Sequence, residues 1–335
     1  MSSNPRTDSE VLARSSSIPS NGLHSTLRSA KQVCVFSVDV EDWFHILDLP
    51  GTPPLAKWAA LPSRVEKNFL KLLDILDEAN AKVTCFFLAW VAQKFPHLVK
   101  EAAKRGHEVA SHGYAHTLTS HMTPNGFFRD AKKSKRILED VVGQQVYGYR
   151  AAGFSVTEST HWFFDKLTEA GYLYDSSVFP ARRAHGGFRN GHRGPHVIVG
   201  PSGELIEFPM TVEPVFGAPM CFFGGGYLRL FPYAMMKHMA KRVLANGLPV
   251  IFYVHPREID PEHPRLPMNL KRRFKSYVNL GATEQKIRRI LTDFEITSFQ
   301  NLLASGWQYN STDSALPALQ PPVEKLVEEH EQIQR

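Results

Sequence analysis

VCVFSVDVED, residues 33–42, is almost wholly apolar up to Val40 apart from Ser37 and Asp39, and it leaves in three acids, Asp39, Glu41 and Asp42. A run with little polar alternation predicts a strand buried on both faces, as in a parallel sheet covered by helices. Comparable runs stand at 82–87 (KVTCFF), 107–111 (HEVAS), 146–152 (VYGYRAA), 172–177 (YLYDSS), 205–212 (LIEFPMTV) and 249–255 (PVIFYVH). The segments between them have helical period. Residues 62–81 place Val65, Phe69, Leu72, Leu73 and Leu76 on one stripe, and residues 123–143 end at Gly143 as a helix does. Residues 157–172 open on Thr157 as an N-cap and stop at Gly171, and Pro232 begins a helix that finishes before Gly247. Strand and helix in alternation predict an α/β fold. With about seven parallel strands around one core, a distorted (β/α) barrel is expected rather than an open sheet, with its chemistry at the carboxyl ends of the strands.

The chain has 335 residues and is 43% hydrophobic, enough for a substantial core without staples. Residues 31–309 are expected to form the barrel domain, flanked by a Ser-rich disordered tail at 1–30 and a Pro-led, charged, peripheral tail at 310–335. Cys34, Cys85 and Cys221 form no Cys-x-x-Cys pair and have apolar neighbours, so neither a disulfide framework nor a thiolate metal site is expected. The N-terminal stretch carries no apolar run of signal-peptide length, which predicts a cytoplasmic location, and no run approaches the roughly twenty apolar residues of a transmembrane segment. The net charge of +6 is modest. Its densest parts, NLKRRFK (269–275) and KIRRI (286–290), read first as solvated faces and second as a docking place for phosphate or an anionic substrate. Aromatics are not interleaved with the basic residues in a stripe, so no nucleic-acid partner is expected.

The residues leaving the predicted strands are not ordinary turn formers. The first run delivers Asp39, Glu41 and Asp42; HEVASHGYAH (107–116) delivers His112 and His116; later runs deliver Arg150, Asp175 and His255. In a helical turn, or a loop bent like one, two histidines four positions apart share a side, as a divalent metal requires of paired nitrogen ligands. Two neutral imidazoles and one carboxylate leave coordination positions open, the pattern of a catalytic zinc, and a second carboxylate beside it can take a proton from an attacking water. His255 is then the candidate acid for the leaving group.

Seven stretches in order over about residues 33–305 carry a family resemblance: FSVDVEDWFH, ASHGYAH, YGYRAAGFSVT, GYLYDSSVFP, FFGGGYLRLFPY, FYVHPREIDPEHPR and YVNLGATEQKIRRIL. With them the chain resembles the polysaccharide deacetylase family, carbohydrate esterases with a NodB-homology domain, and within it the subgroup associated with exopolysaccharide and exosortase gene clusters. The resemblance implies a distorted barrel of NodB-homology type, a divalent metal cofactor, usually zinc, and removal of acetyl groups from an N-acetylated saccharide. It makes Asp39 the general base, His112 and His116 metal ligands, and Arg150 the group that orients the base. The third ligand stays open between Glu41 and Asp42, because the family motif has adjacent aspartates where this chain has DVED; Asp42 is preferred for its length. Asp175 matches the acid that partners the catalytic histidine, with a turn or cap role equally open, and His255 matches the general acid. Ala152 stands where the family often has Pro, and Arg257 where the subgroup often has Trp, which implies a more cationic rim. Trp43, Tyr114 and Arg257 are the substrate-binding candidates, with barrel packing the other reading of Trp43 and its neighbours Phe44 and His45. GGGY (224–227) reads as a tight loop letting backbone approach the pocket.

The function expected is metal-dependent deacetylation of a polysaccharide or a lipid-linked oligosaccharide, the latter through peripheral contact. One alternative is hydrolysis of a non-sugar cyclic or linear amide on the same fold. The other is a catalytically silent carbohydrate-binding protein, which would lack the base or the acid, whereas Asp39 and His255 are both present.

Overall fold

β1 (Cys34–Val40) is buried along its whole length, and its residues alternate between two apolar clusters. Phe36, Val38 and Val40 pack outward with Phe69, Leu72 and Leu76 of the helix Val65–Glu78. Val33 and Val35 point inward, among Phe86, Ala110, Tyr174, Phe208 and Phe299. That period of two decides the rest of the site, since Ser37, Asp39 and Glu41 share the inward parity. The computed structural model describes residues 33–47, 49, 51–181, 183, 186–188 and 191–305; the tails expected at 1–30 and 310–335 lie outside the described residues.

The remaining strands are β2 (Thr84–Phe87), β3 (Glu108–Ser111), β4 (Gly148–Tyr149), β5 (Tyr174–Asp175), β6 (His196–Gly200), β7 (Gly203–Glu207), β8 (Glu213–Val215), β9 (Ala218–Met220), β10 (Val250–Val254) and β11 (Ile296–Thr297). The main sheet runs β10-β1-β2-β3-β4-β5-β7, all parallel, and β6 folds back antiparallel on β7. β2 reaches β1 only from Ser37 onward, so β11 takes up the earlier stretch at Cys34 and Val35. Among the described residues the sheet does not close by strand pairing. The chain between β7 and β10 spans the opening instead: Met210 N donates to Val178 O at 2.8 Å, Ile251 N to Thr211 Oγ1 at 2.8 Å, and Tyr253 N to Phe223 O at 3.1 Å. The result is a distorted barrel.

Each of the seven expected runs contains a strand, but two are cut to two residues, Gly148–Tyr149 and Tyr174–Asp175. β6, the β8–β9 hairpin and β11 were not legible as strands, being short or half exposed. The expected helices appear as Val65–Glu78, Pro124–Val142, Trp162–Glu169 and Tyr233–Ala245. Thr123 caps the second by accepting from Gly126 N, and Gly143 closes it at φ 72°. GGGY is not a loop: Gly225–Leu230 is a short helix, and Gly224 lies so close to Tyr253 that an added Cβ would stand 1.9 Å from its Cδ1. No helix among the described residues is long and apolar enough to cross a membrane.

Candidate active site

Asp39 sits near the carboxyl end of β1 and is buried. Its Oδ1 accepts from Arg150 Nη1 at 2.8 Å. Arg150, wholly buried, follows β4 and spends its other donors on Ser37 Oγ (2.8 Å), Ser176 O (3.1 Å) and Ser176 Oγ (3.0 Å), with its guanidinium 4.2 Å from the Phe86 ring centre. A buried cation so fully satisfied cannot swing away, so the carboxylate it holds is kept in one orientation with Oδ2 turned elsewhere. That oxygen faces His255 Nε2 at 3.9 Å.

His112 and His116 follow β3 in a loop, with Gly113 at φ 76° and His116 itself at φ 51°. A left-handed non-glycine residue costs of order 1–3 kcal/mol and persists only where its surroundings impose it. Here the imposition is visible: His116 Nδ1 lies 2.7 Å from His45 O, and His112 Nδ1 lies 2.8 Å from Arg150 O. A carbonyl oxygen can only accept, so both Nδ1 atoms carry a hydrogen, and Nε2 is the nitrogen of each ring left to offer a lone pair to a metal. Burial lowers the His112 imidazole to about 4, which keeps it neutral near pH 7.

Glu41 continues the inward parity past the end of β1. Its Oε2 lies 3.5 Å from His116 Nε2 and its Oε1 lies 3.0 Å from His255 Nε2. Burial alone would raise this carboxyl, but the surrounding imidazoles of His116, His255 and His112 outweigh it and hold the group below the usual carboxylate range. Ligand atoms of Glu41, His112 and His116 all lie within 4.8 Å of one another. With bonds of about 2.1 Å a tetrahedral site needs neighbouring ligands about 3.4 Å apart, so two tautomer-fixed nitrogens and an ionised carboxylate fit a divalent cation with little rearrangement.

The preference for Asp42 as the third ligand is corrected. Its carboxylate turns the other way, accepting from Trp43 N (2.8 Å), Ser63 Oγ (2.5 Å), Arg64 N (3.1 Å) and Val65 N (3.3 Å). It ties the turn after β1 to the amino end of the helix Val65–Glu78. For Asp175 the structure shows the second of the two roles left open, a local turn partner, and not the acid beside His255. Its oxygens accept from Ser177 Oγ (2.5 Å) and Ser177 N (3.2 Å), and Ser177 Oγ in turn accepts from Ala151 N at 2.7 Å, so Asp175 braces the segment carrying Arg150. On the Nδ1 side of His255, opposite Glu41, the carboxylate is Glu258, with Oε2 3.4 Å from Nδ1 and 3.1 Å from the backbone nitrogen of His255. Glu258 is fully buried and pairs on its other side with the buried Arg229. The spacing His255-x-x-Glu258, a capping box, was the one signal in the sequence that could have pointed to it.

Asp39, Glu41, His112, His116 and His255 open onto one cavity of about 750 Å³. Of the substrate-binding candidates Arg257 lines it, and Trp43 and Tyr114 do not. Trp43 is packed with Phe44 and Trp58 and donates its indole N–H to Pro62 O at 3.0 Å, while Tyr114 lies under Lys133 Nζ, 3.4 Å from its ring centre. The aromatics at the cavity are Phe154, Tyr227, Tyr253 and Phe274, and Arg183, Arg229, Arg272 and Lys275 add positive charge.

Residues 60–173 match the family described as polysaccharide deacetylase, and residues 176–304 match a domain of unknown function (DUF3473). A peptidoglycan-N-acetylglucosamine deacetylase of Bacillus cereus is 34% identical over 73 residues, covering 22% of this chain and 26% of that protein. A second one from the same organism is 28% identical over 102 residues, 30% of this chain and 46% of its own length, so the chain spans between a quarter and a half of these relatives. Among solved structures, a protein assigned as a polysaccharide deacetylase from Mycobacterium smegmatis superposes with a TM-score of 0.56 at 19% identity, covering 87% of this chain and 98% of that one. At these identities the likeness of structure speaks for the fold. Over residues 60–173 the chain is thus similar in sequence to the polysaccharide deacetylase family, and the structural likeness adds that its fold is of the same kind.

Proposed function

We propose that the chain hydrolyses the N-acetyl amide of a saccharide, with a divalent cation, zinc by the nature of the donors, held by Glu41, His112 and His116. The observation that carries this reading is the convergence of that donor set with Asp39 and His255 in one cavity. A cation bound there would acidify water and polarise the amide carbonyl. Arg150 holds Asp39 so that Oδ2 is free to take the water's proton. His255, its Nδ1 backed by the Glu258 carboxylate, holds a proton on Nε2 and delivers it to the departing amine nitrogen. Glu41 and Asp39 thus divide two tasks that one carboxylate could not perform together.

The test is acetate release from N-acetylated oligosaccharides, with cyclic ureides as a control panel, alongside metal analysis. Asp39→Asn should keep its metal and lose turnover by about 10²–10⁴-fold, whereas His112→Ala should lose both. An Asp39→Asn protein with undiminished turnover, or turnover of ureides alone, would overturn the assignment.

A further inference from the structure

Two cations on the cavity wall have no task in the chemistry above. Arg257 follows His255 by two residues, and its Nε and Nη1 are buried without a hydrogen-bond partner. Arg272, on the helix Leu270–Tyr277, is anchored by Nη2 to Leu47 O at 2.9 Å, while its Nε is likewise buried and unpartnered. Arg257 feels the charge of both Glu41 on the cavity floor and Arg272 on the wall. Arg229, by contrast, is matched with Glu258, and Arg150 with Asp39. Among the described residues no carboxylate stands within ion-pair distance of Arg257, Arg272 or Lys275, and all three line the same cavity. Three cationic side chains on one cavity wall without a matching carboxylate, two of them holding guanidinium nitrogens out of water and unpartnered, are a costly arrangement unless an anion completes it.

We propose that this wall is a phosphoryl subsite: Arg257 and Arg272, with Lys275 at the mouth, receive a phosphate or diphosphate group carried by the acetylated saccharide. Planar guanidinium forks match phosphate oxygens with several donors each, and the cavity is large enough to seat a sugar over Glu41, His112 and His116 with its phosphate against the wall. This inference rests on the deacetylase reading for its substrate but not for its binding. The phosphate can belong to a soluble sugar phosphate or to a lipid-linked one. Leu270 and Phe274 are 83% and 57% exposed on the helix that carries Arg272, between Lys271, Arg273 and Lys275, so the two sources are tested separately.

The experiment compares the methyl glycoside of N-acetylglucosamine with N-acetylglucosamine 1-phosphate, with N-acetylglucosaminyl diphosphate on a polyprenyl chain in phosphatidylcholine vesicles, and with an N-acetylglucosaminyl uronate. Acetate release and calorimetric binding are both read on the metal-loaded protein. Wild type should prefer the phosphorylated sugars over the methyl glycoside, and Arg257→Met and Arg272→Gln should each shrink that ratio of kcat/KM about 10- to 100-fold. Arg257→Lys should restore only part of it. Arg272 sits on a half-exposed helix, so its variant is the safeguard should Arg257→Met not fold. Preference for the vesicle-borne over the soluble phosphate supports the subsite and identifies its source as a lipid headgroup; the reverse supports a free sugar phosphate. Equal kcat/KM for phosphate and methyl glycoside, or preference for the uronate, would overturn the subsite while leaving deacetylation standing. Tight binding of the sugar phosphate, weakened in both variants but without acetate release, would sink the deacetylase reading and keep the subsite.

Discussion

Replacing each of two adjacent acids tests the geometry most directly, because Glu41 faces the imidazoles while Asp42 faces the backbone at the start of the next helix. Asp42→Ala removes the acceptor for three backbone N–H groups, Trp43, Arg64 and Val65, and for the Ser63 hydroxyl. Loss of a capping side chain costs about 1 kcal/mol, and each buried donor left unsatisfied adds about 1–3 kcal/mol. Burial works against the Asp42 carboxylate, raising its pKa, so the net loss is placed near the low end, about 3 kcal/mol. For a domain of this size that lowers Tm by roughly 5 °C. Metal binding should survive, since Asp42 offers no atom to the cluster of Glu41, His112 and His116. Glu41→Gln should do the converse: it supports no backbone group, but its loss should weaken metal affinity by at least about 100-fold, more than an outer partner would. Differential scanning calorimetry of metal-stripped protein and elemental analysis after dialysis against buffered zinc give the two readouts. A metal-free Asp42→Ala protein that melts like wild type, or a Glu41→Gln protein with stoichiometric zinc, would refute this division of roles.

Two further outcomes follow from groups away from the metal ligands. Burial raises Asp175 to about 6, and burial together with Asp175 raises Glu207 well above its ordinary range, so the pair shares a proton that Glu207 Oε2 otherwise lacks. Because the folded state binds protons more tightly than the unfolded one, this contribution is fully present below about pH 4 and fades as pH rises through about 6; urea unfolding across that window should show wild type losing stability relative to Glu207→Gln, and the opposite slope would be inconsistent with a shared proton. Gly224→Ala should cost at least about 1–3 kcal/mol and reduce turnover, because the new methyl must displace the buried Tyr253 ring beside His255; a variant with unchanged Tm and kcat would show that the ring yields freely.

The barrel was legible because its strands are nearly continuous apolar runs and its helices carry caps and stripes that act locally. The stop at Gly143, and the stripe from Val65 to Leu76, are read correctly for that reason. The short extent of β4 and β5 was not legible, since two-residue strands are delimited by what they pair with and by Tyr174 lying over Gly148, where a Cβ would come within 2.0 Å of its ring. For the aromatics after the acidic cluster the sequence left sugar contact and barrel packing both open. Nothing in the residue type of Trp43 tells whether its ring meets a sugar or, as here, Phe44 and Trp58.

Sequence by itself determined the alternation of strand and helix and the gathering of Asp39, His112, His116, Arg150 and His255 at strand ends, because periodicity and chain order are properties of the chain. The choice between Glu41 and Asp42 belonged to the tertiary structure. Strand parity turns one toward the imidazoles and the other toward the amino end of a helix that begins at Val65, and neither partner is near in sequence. Glu258 behind His255, Asp175 beneath Arg150 and the unpaired Arg257 beside Arg272 were likewise decided by packing. A side chain's charge is written in its residue type, but whether that charge meets a counter-charge depends on what the fold brings against it.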